Sequence, residues 1–331
     1  MSTRTRFYWK EVFSGFGGLV FIFVLLLLGI GLFYIYSASY YPPKQIYLPY
    51  AKRQMVWAAI AILPFLFVIY IDYNILTRYS LLIYGFGLFL LLLTLLIGTY
   101  RGGAKRWIKI GPLLLQTSEI MKIAIIPILA HILTTVRQKG KFEDLFLPLG
   151  ITVIPMFLIM MQPDLGTSLV FIPIVFSMIF AAGIKVKHLV VLVLLMANLA
   201  VFTYFYGMHE YQRKRVKMFI FQDNMTLEQQ RDAGYHLTQS KIAHGNGGLW
   251  GKGWQRGTQN RHGFLPERHT DFIFAVIGEE GGLIGTGFVL LLYFVLLISM
   301  LLVAYNSLLP NGQLIVVGVV EIGRASCRER V

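Results

Sequence analysis

The chain has 331 residues, of which 56% are hydrophobic and only 14% charged, with a formal net charge of +14. Soluble domains carry about 25% charged residues, so this composition excludes a soluble enzyme and implies a polytopic membrane protein. Its basic excess sits between apolar runs, where it meets membrane lipid headgroups or an anionic substrate. No soluble domain is present to bind nucleic acid, and the single cysteine, Cys327, excludes an internal disulfide.

Residues 1–13 are polar and basic, with Phe7, Tyr8 and Trp9 suited to an interface. The first span, Gly15–Tyr36, is longer than the roughly 7–15 apolar residues of a signal peptide and reads as uncleaved. A polar loop, Ala38–Gln54, leads to the second span at Met55–Ile71, and the third covers Leu81–Thr99. Tyr100–Thr117 is then a loop with four basic residues and no acid. The fourth span runs from Ser118 to near Val136. Spans five and six, Phe146–Met161 and Leu165–Ala182, are joined by a tight QPDLG, and span seven is His188–Phe205. A long loop, Tyr206–Thr270, precedes span eight within Phe272–Tyr305.

The run LIVVGVV ending at Val320 starts a ninth span. Glu321–Val331 (EIGRASCRERV) reads as a non-native tail on a chain cut within that span. The expectation is an all-α polytopic fold of about eight complete transmembrane helices plus the start of a ninth, forming one domain over residues 1–320. With the N-terminus inside, cytoplasmic segments carry nine Lys or Arg and the short outside loops seven. The positive-inside bias is therefore small. Arg101, Lys105, Arg106 and Lys109 cause this, and basic residues kept outside suit either headgroups or a fixed anionic partner.

Asp271 stands at the lip of span eight, in FLPERHTDFIFAVIGEEGGLIG (Phe264–Gly285). Ionisable groups at such positions are functional candidates, although Thr270 or Asp271 would also serve as a helix N-cap. Glu119 and Lys122 lie three apart and share a helix face, either facing a polar cavity or fixing helix packing. Asp164 in QPDLGTS suits an N-cap. The glycines of IAHGNGGLWGKGWQRGTQ (Ile242–Gln259) lack P-loop spacing and instead allow close backbone approach. Gln212–Phe221, basic then aromatic, fits an interfacial helix. Gly278 with Gly282, and Gly281 with Gly285, set two GxxxG spacings that admit a close neighbouring helix. Asn224 opens a formal glycosylation sequon. His262 and His269 fall near Asp271 and Glu267, but no metal cluster or cofactor fingerprint is evident.

GAKRWIKIGPLLLQTSEIMKIA, QPDLGTSLV, QSKIAHGNGGLWGKGWQRGTQ and FLPERHTDFIFAVIGEEGGLIG occur in this order. They resemble the SEDS family (shape, elongation, division and sporulation), more its elongation branch than its division branch. The resemblance implies a ten-span peptidoglycan glycosyltransferase of the bacterial cytoplasmic membrane. It would polymerise lipid II on the extracytoplasmic side beside a class B penicillin-binding protein, a transpeptidase.

On this resemblance Asp271 matches the essential aspartate, Arg106 the arginine of GAxRW, and Glu119 and Lys122 the charges of SExxK. Lys105 and Lys109 join the substrate-binding set on electrostatic grounds alone. Glu267 and His269 join it as neighbours of Asp271, and Glu267 is the carboxylate that a covalent mechanism would use. The implied chemistry has Asp271 as general base, with basic residues offsetting a leaving pyrophosphate. No cofactor is implied, and a divalent cation riding with the pyrophosphate stays open. A lipid flippase or other transporter, and a non-catalytic scaffold, are the competing classes.

Overall fold

The computed structural model describes residues 15–41, 46–101, 104–111, 113–139, 142–202, 213, 235–265, 267–307 and 309–330. The segments read as an interfacial helix (Gln212–Phe221) and a sequon (Asn224) lie outside the described residues, apart from Arg213. Long apolar runs become helices because a span must satisfy its backbone polar groups internally. Among the described residues six helices are long and apolar enough to cross a membrane: Gly15–Ala38, Tyr50–Ile69, Ser80–Ile97, Thr117–Val136, Glu143–Met161 and Ile273–Tyr305. Leu165–Ala181 and Val186–Met196 are shorter apolar helices, the second lying within α8 (Val186–Phe202), and the six-residue α3 (Tyr73–Arg78) precedes Ser80.

The chain divides into two compact units, one of Met1–Val20, Phe65–Val190 and Leu297–Glu329 and the other of Phe21–Pro64, Val191–Leu296 and Arg330–Val331. In the first, α5 (Thr117–Lys139) is central, and Met121, Ile125, Leu129 and Leu133 are fully buried along it. It packs against α4 (Ser80–Ile97) at Gly87, where an added Cβ would stand 2.6 Å from the Met121 sulfur. Thr94 and Thr117 bridge the same two helices hydroxyl to hydroxyl at 2.8 Å. Two more helices, α6 (Phe146–Met161) and α7 (Leu165–Ala181), follow, with Asp164 capping α7 through the Thr167 amide and hydroxyl. In α12 (Pro310–Arg330), Gly318 fits against Ile126 and Met178.

The basic segment after span three is folded as an antiparallel sheet, where the sequence suggests a loop. Its strands are β3 (Thr99–Arg101), β4 (Ala104–Ile110) and β5 (Leu113–Gln116). Gly111, at φ 60°, makes the tight turn between β4 and β5, a conformation glycine adopts without steric cost. Basic residues interleaved with Trp107, Ile108 and Ile110 conceal the alternation that a strand normally displays.

The second unit holds most of α1 (Gly15–Ala38), the short hairpin β1 (Tyr40–Tyr41) and β2 (Ile46–Tyr47), and α2 (Tyr50–Tyr70) up to Pro64. It also holds α9 (Tyr235–Gly247), the single turn α10 (Thr258–Arg261) and α11 (Ile273–Tyr305) up to Leu296. Helix α11 is broken at Gly282, whose φ of 66° and ψ of −166° are not helical. Leu283–Tyr305 alone rises about 35 Å, enough for a hydrocarbon core of about 30 Å. The piece before the break is therefore not needed to span.

Four backbone groups beside the break find partners in the glycine-rich loop. The Glu279 and Glu280 carbonyls accept from the Lys252 and Gly253 amides, each at 3.0 Å. The Leu283 and Ile284 amides donate to the Gly248 and Leu249 carbonyls at 2.9 and 3.2 Å. Glycine is required where the two backbones meet: a Cβ on Gly247, Gly251 or Gly282 would strike the main chain of the other segment. Gly278 faces the His244 ring of α9, and Gly281 the Tyr34 hydroxyl of α1. The GxxxG glycines thus serve helix approach at Gly278 and Gly281, and a helix break at Gly282.

Candidate active site

Asp271 sits one residue outside the conventional cap of α11. The turn before it closes on the Glu267 carbonyl, which accepts from the Thr270 amide at 3.0 Å and the Phe272 amide at 3.4 Å. Glu267 adopts φ 45° to make this bend, a left-handed conformation that costs a residue with a Cβ roughly 1–2 kcal/mol. The Thr270 hydroxyl also turns back to the Glu267 carbonyl, at 3.2 Å. Neither Thr270 nor Asp271 bonds an amide of α11 through its side chain among the described residues, so capping does not account for the carboxylate. Asp271 is exposed and its side chain makes no hydrogen bond or ion pair there.

Its neighbours are held. His269 stacks on Tyr50 with ring centroids 3.7 Å apart and 9° between planes. Burial lowers the His269 pKa, the Glu267 and Asp271 carboxylates oppose that, and Arg268 adds to it. The neutral ring is thereby favoured. Arg268 donates to the carbonyls of Ala38, Asn260 and Tyr40, and burial lowers its pKa as well. The exposed Glu267 side chain reaches the Thr270 hydroxyl at 3.5 Å.

Beneath this turn lies a buried polar cluster. Glu279 is 1% exposed and accepts from Lys252 Nζ at 3.1 Å, Thr258 Oγ1 at 2.8 Å and the Gln259 amide at 3.0 Å. Its carboxylate so caps the single turn α10, whose own N-cap, Gly257, has no side chain to do so. Glu280 accepts from Ser37 Oγ at 2.6 Å and Asn260 Nδ2 at 3.4 Å. Sequence reasoning passed over Glu279, Glu280, Asn260, Lys252 and Arg268. Two adjacent carboxylates inside an apolar run, GEEGG, were the available signal, because buried charge is retained only when partnered.

In the other unit, β4 separates the basic residues by alternation. Arg106 shares a face with buried Ile108 and is half-buried, whereas Lys105 and Lys109 point the opposite way and are exposed. Arg106 Nε lies 3.8 Å from Asp164 Oδ2 and 3.4 Å from the Gln162 carbonyl, and Nη2 donates to the Pro163 carbonyl. Arg106 therefore pins the connection between α6 and α7. Lys122, 2% exposed, pairs at 2.8 Å with Glu119, 53% exposed, so the shared face is real and one end of the pair reaches the surface. Among the described residues no three carboxylate, imidazole or thiol groups converge to hold a metal ion.

Apolar spanning helices and a broken helix presenting a carboxylate define a multi-pass membrane protein. Residues 18–322 match the FtsW/RodA/SpoVE family of cell cycle proteins, and the chain belongs to that family. It is 39% identical over 225 residues to the peptidoglycan glycosyltransferase MrdB of Escherichia coli strain K12, a match covering 68% of this chain and 60% of MrdB. The chain thus spans about three-fifths of that relative's length. Stage V sporulation protein E of Bacillus subtilis strain 168 is 36% identical over 314 residues, covering 92% of this chain and 83% of that protein.

Among solved structures, a chain in a peptidoglycan synthase complex that coordinates polymerization and crosslinking superposes with a TM-score of 0.76. That match has 26% identity, over 92% of this chain and 82% of the other. The rod shape determining protein RodA of Thermus thermophilus gives a TM-score of 0.64 at 25% identity, over 97% of this chain and 83% of that one.

Proposed function

We propose that this protein is a peptidoglycan glycosyltransferase that polymerises lipid II during cell elongation, with Asp271 as its general base. The observation that carries the reading is Asp271 itself: an exposed carboxylate without a hydrogen-bond or ion-pair partner among the described residues, on a turn whose neighbours are bonded, in a chain of this family. A sugar hydroxyl is a poor nucleophile. As its oxygen bonds the anomeric carbon of a second lipid-linked sugar, its proton passes to Asp271 and the lipid diphosphate departs with the electrons of the broken C–O bond. A positioned base contributes typically ~10²–10⁴-fold to such a step.

Positive charge stabilises the departing diphosphate, and Arg106, Lys105 and Lys109 are the basic residues assigned to it. Arg106 is already paired with Asp164, which orients its guanidinium. Exposed Lys105 and Lys109 supply charge without fixed geometry. Glu119 with Lys122, and Glu267 with His269, are assigned to binding the substrate's polar groups. A single displacement inverts the anomeric centre, whereas a covalent route through Glu267, the other exposed carboxylate on the turn, would retain it. The active face is extracytoplasmic, in a bacterial cytoplasmic membrane, beside a transpeptidase that crosslinks the product strand.

The test supplies purified protein and its transpeptidase partner with labelled lipid II, in detergent and in sealed vesicles. Polymer with an inverted anomeric linkage by NMR is the expected product. Retained configuration removes the single displacement. Labelled lipid crossing the vesicle membrane without polymer supports a flippase, and neither activity supports a scaffold.

A further inference from the structure

Three residues before Asp271, the Arg268 guanidinium is spread over three main-chain carbonyls. Nε donates to Ala38 at 3.0 Å, Nη1 to Asn260 at 2.8 Å, and Nη2 to Tyr40. No carboxylate of the described residues lies within ion-pair distance of it. Its partners explain why none is needed. Ala38 is the last residue of α1, where carbonyls lack intrahelical donors and a partial negative charge gathers. Asn260 belongs to the single turn α10. One planar fork therefore joins the end of a membrane helix, the start of the following hairpin and α10.

The tether matters because the turn's own hydrogen bonds all close on Glu267. Glu267–Phe272 is closed by three bonds to one carbonyl, at 3.0, 3.2 and 3.4 Å, and contains an unfavourable φ at Glu267. The stack of His269 on Tyr50 restrains one side chain. The bonds of Arg268 run instead to other elements. A lysine ammonium is a point charge without the flat, divergent donors of a guanidinium and reaches fewer of these carbonyls at once.

We propose that Arg268 is a positioning residue for Asp271: its three-carbonyl clamp fixes the turn, and through the turn the place of the carboxylate. This rests on the reading of Asp271 as the base. Misplacing a reacting group by about 1 Å costs on the order of 10²-fold in rate.

The experiment compares wild type, Arg268→Lys, Arg268→Gln and Asp271→Asn as full chains with the transpeptidase partner. It measures lipid II turnover, and backbone hydrogen exchange of the peptide spanning residues 264–276. Monodisperse elution establishes folding, and Arg268→Lys, which keeps the charge, is the variant to rely on if Arg268→Gln aggregates. The expected result for Arg268→Lys is a kcat lower by about 10–100-fold, with KM changed less than about twofold, and faster exchange across the turn. Asp271→Asn should be inactive with the exchange of wild type.

Unchanged kcat in Arg268→Lys beside an inactive Asp271→Asn overturns the positioning role and leaves the base assignment intact. A raised KM with kcat preserved overturns it too, making Arg268 a substrate contact. Unchanged exchange overturns the clamp itself. Full activity in Asp271→Asn removes the base, and the positioning role with it.

Discussion

Two arginines in this chain hold loops by the same chemistry and differ in what else they touch. Arg106 donates to the Gln162 and Pro163 carbonyls and keeps a carboxylate, Asp164, at 3.8 Å. Arg268 meets carbonyls on three segments, with no carboxylate in ion-pair range among the described residues. Removing Arg106 strands one anion that also caps α7. Removing Arg268 strands three neutral carbonyls, on α1, β1 and α10, and so loosens geometry without leaving an anion unpaired. A clamp on neutral carbonyls is compatible with a carboxylate nearby that has no partner among the described residues, because it brings no second anion to compete with Asp271 for protons or cations.

The contrast can be broken first at its foundation. Glu279→Ala removes the acceptor shared by Lys252, Thr258 and the Gln259 amide. Losing one partner of a buried pair costs about 3–5 kcal/mol. Because Lys252 is 29% exposed, a loss near the lower end is expected, read as a lower thermal midpoint in detergent. Gly282→Ala comes next. Its Cβ would meet the Gly251 amide and the Leu249 carbonyl, at a φ that disfavours any side chain. Strain of this kind costs of order 1–3 kcal/mol, and circular dichroism melts should show it.

On the Arg106 side, Asp164→Ala removes both the ion pair and the cap of α7. Loss of an N-cap costs typically about 1 kcal/mol, so a smaller fall in midpoint is expected. The smallest effect is a pH dependence. Burial holds the folded His269 pKa below its ordinary 6.5, so the unfolded state binds the proton more readily. The resulting stability is fully present above about pH 6.5 and is lost as pH falls through the lower folded value. Hydrogen exchange of the turn should quicken on acidification through that window, and His269→Gln should flatten the response.

The spanning helices were legible because a membrane core demands long uninterrupted apolar runs, and Asp271 because it is a charge at the lip of one. The sheet over Thr99–Gln116 was not, since its strands are short and charged. The break at Gly282 was hidden for a different reason. Hydropathy stays high through it, and the groups that repair it, Gly248, Leu249, Lys252 and Gly253, act through their backbones from some thirty residues away. Arg268 escaped notice on the same account: carbonyl partners leave no trace in side-chain identity. Arg106 was legible as a cation, but its pairing with Asp164 needed the fold of the sheet.

The most direct test of Asp271 as the base is the rate of lipid II polymerisation by Asp271→Asn relative to wild type, measured on protein of matched thermal midpoint. The substitution is near-isosteric and removes the proton acceptor. The account predicts a fall of at least about 10²-fold with the midpoint unchanged, since the carboxylate makes no bond within the described protein. Wild-type rates from the folded variant would contradict it.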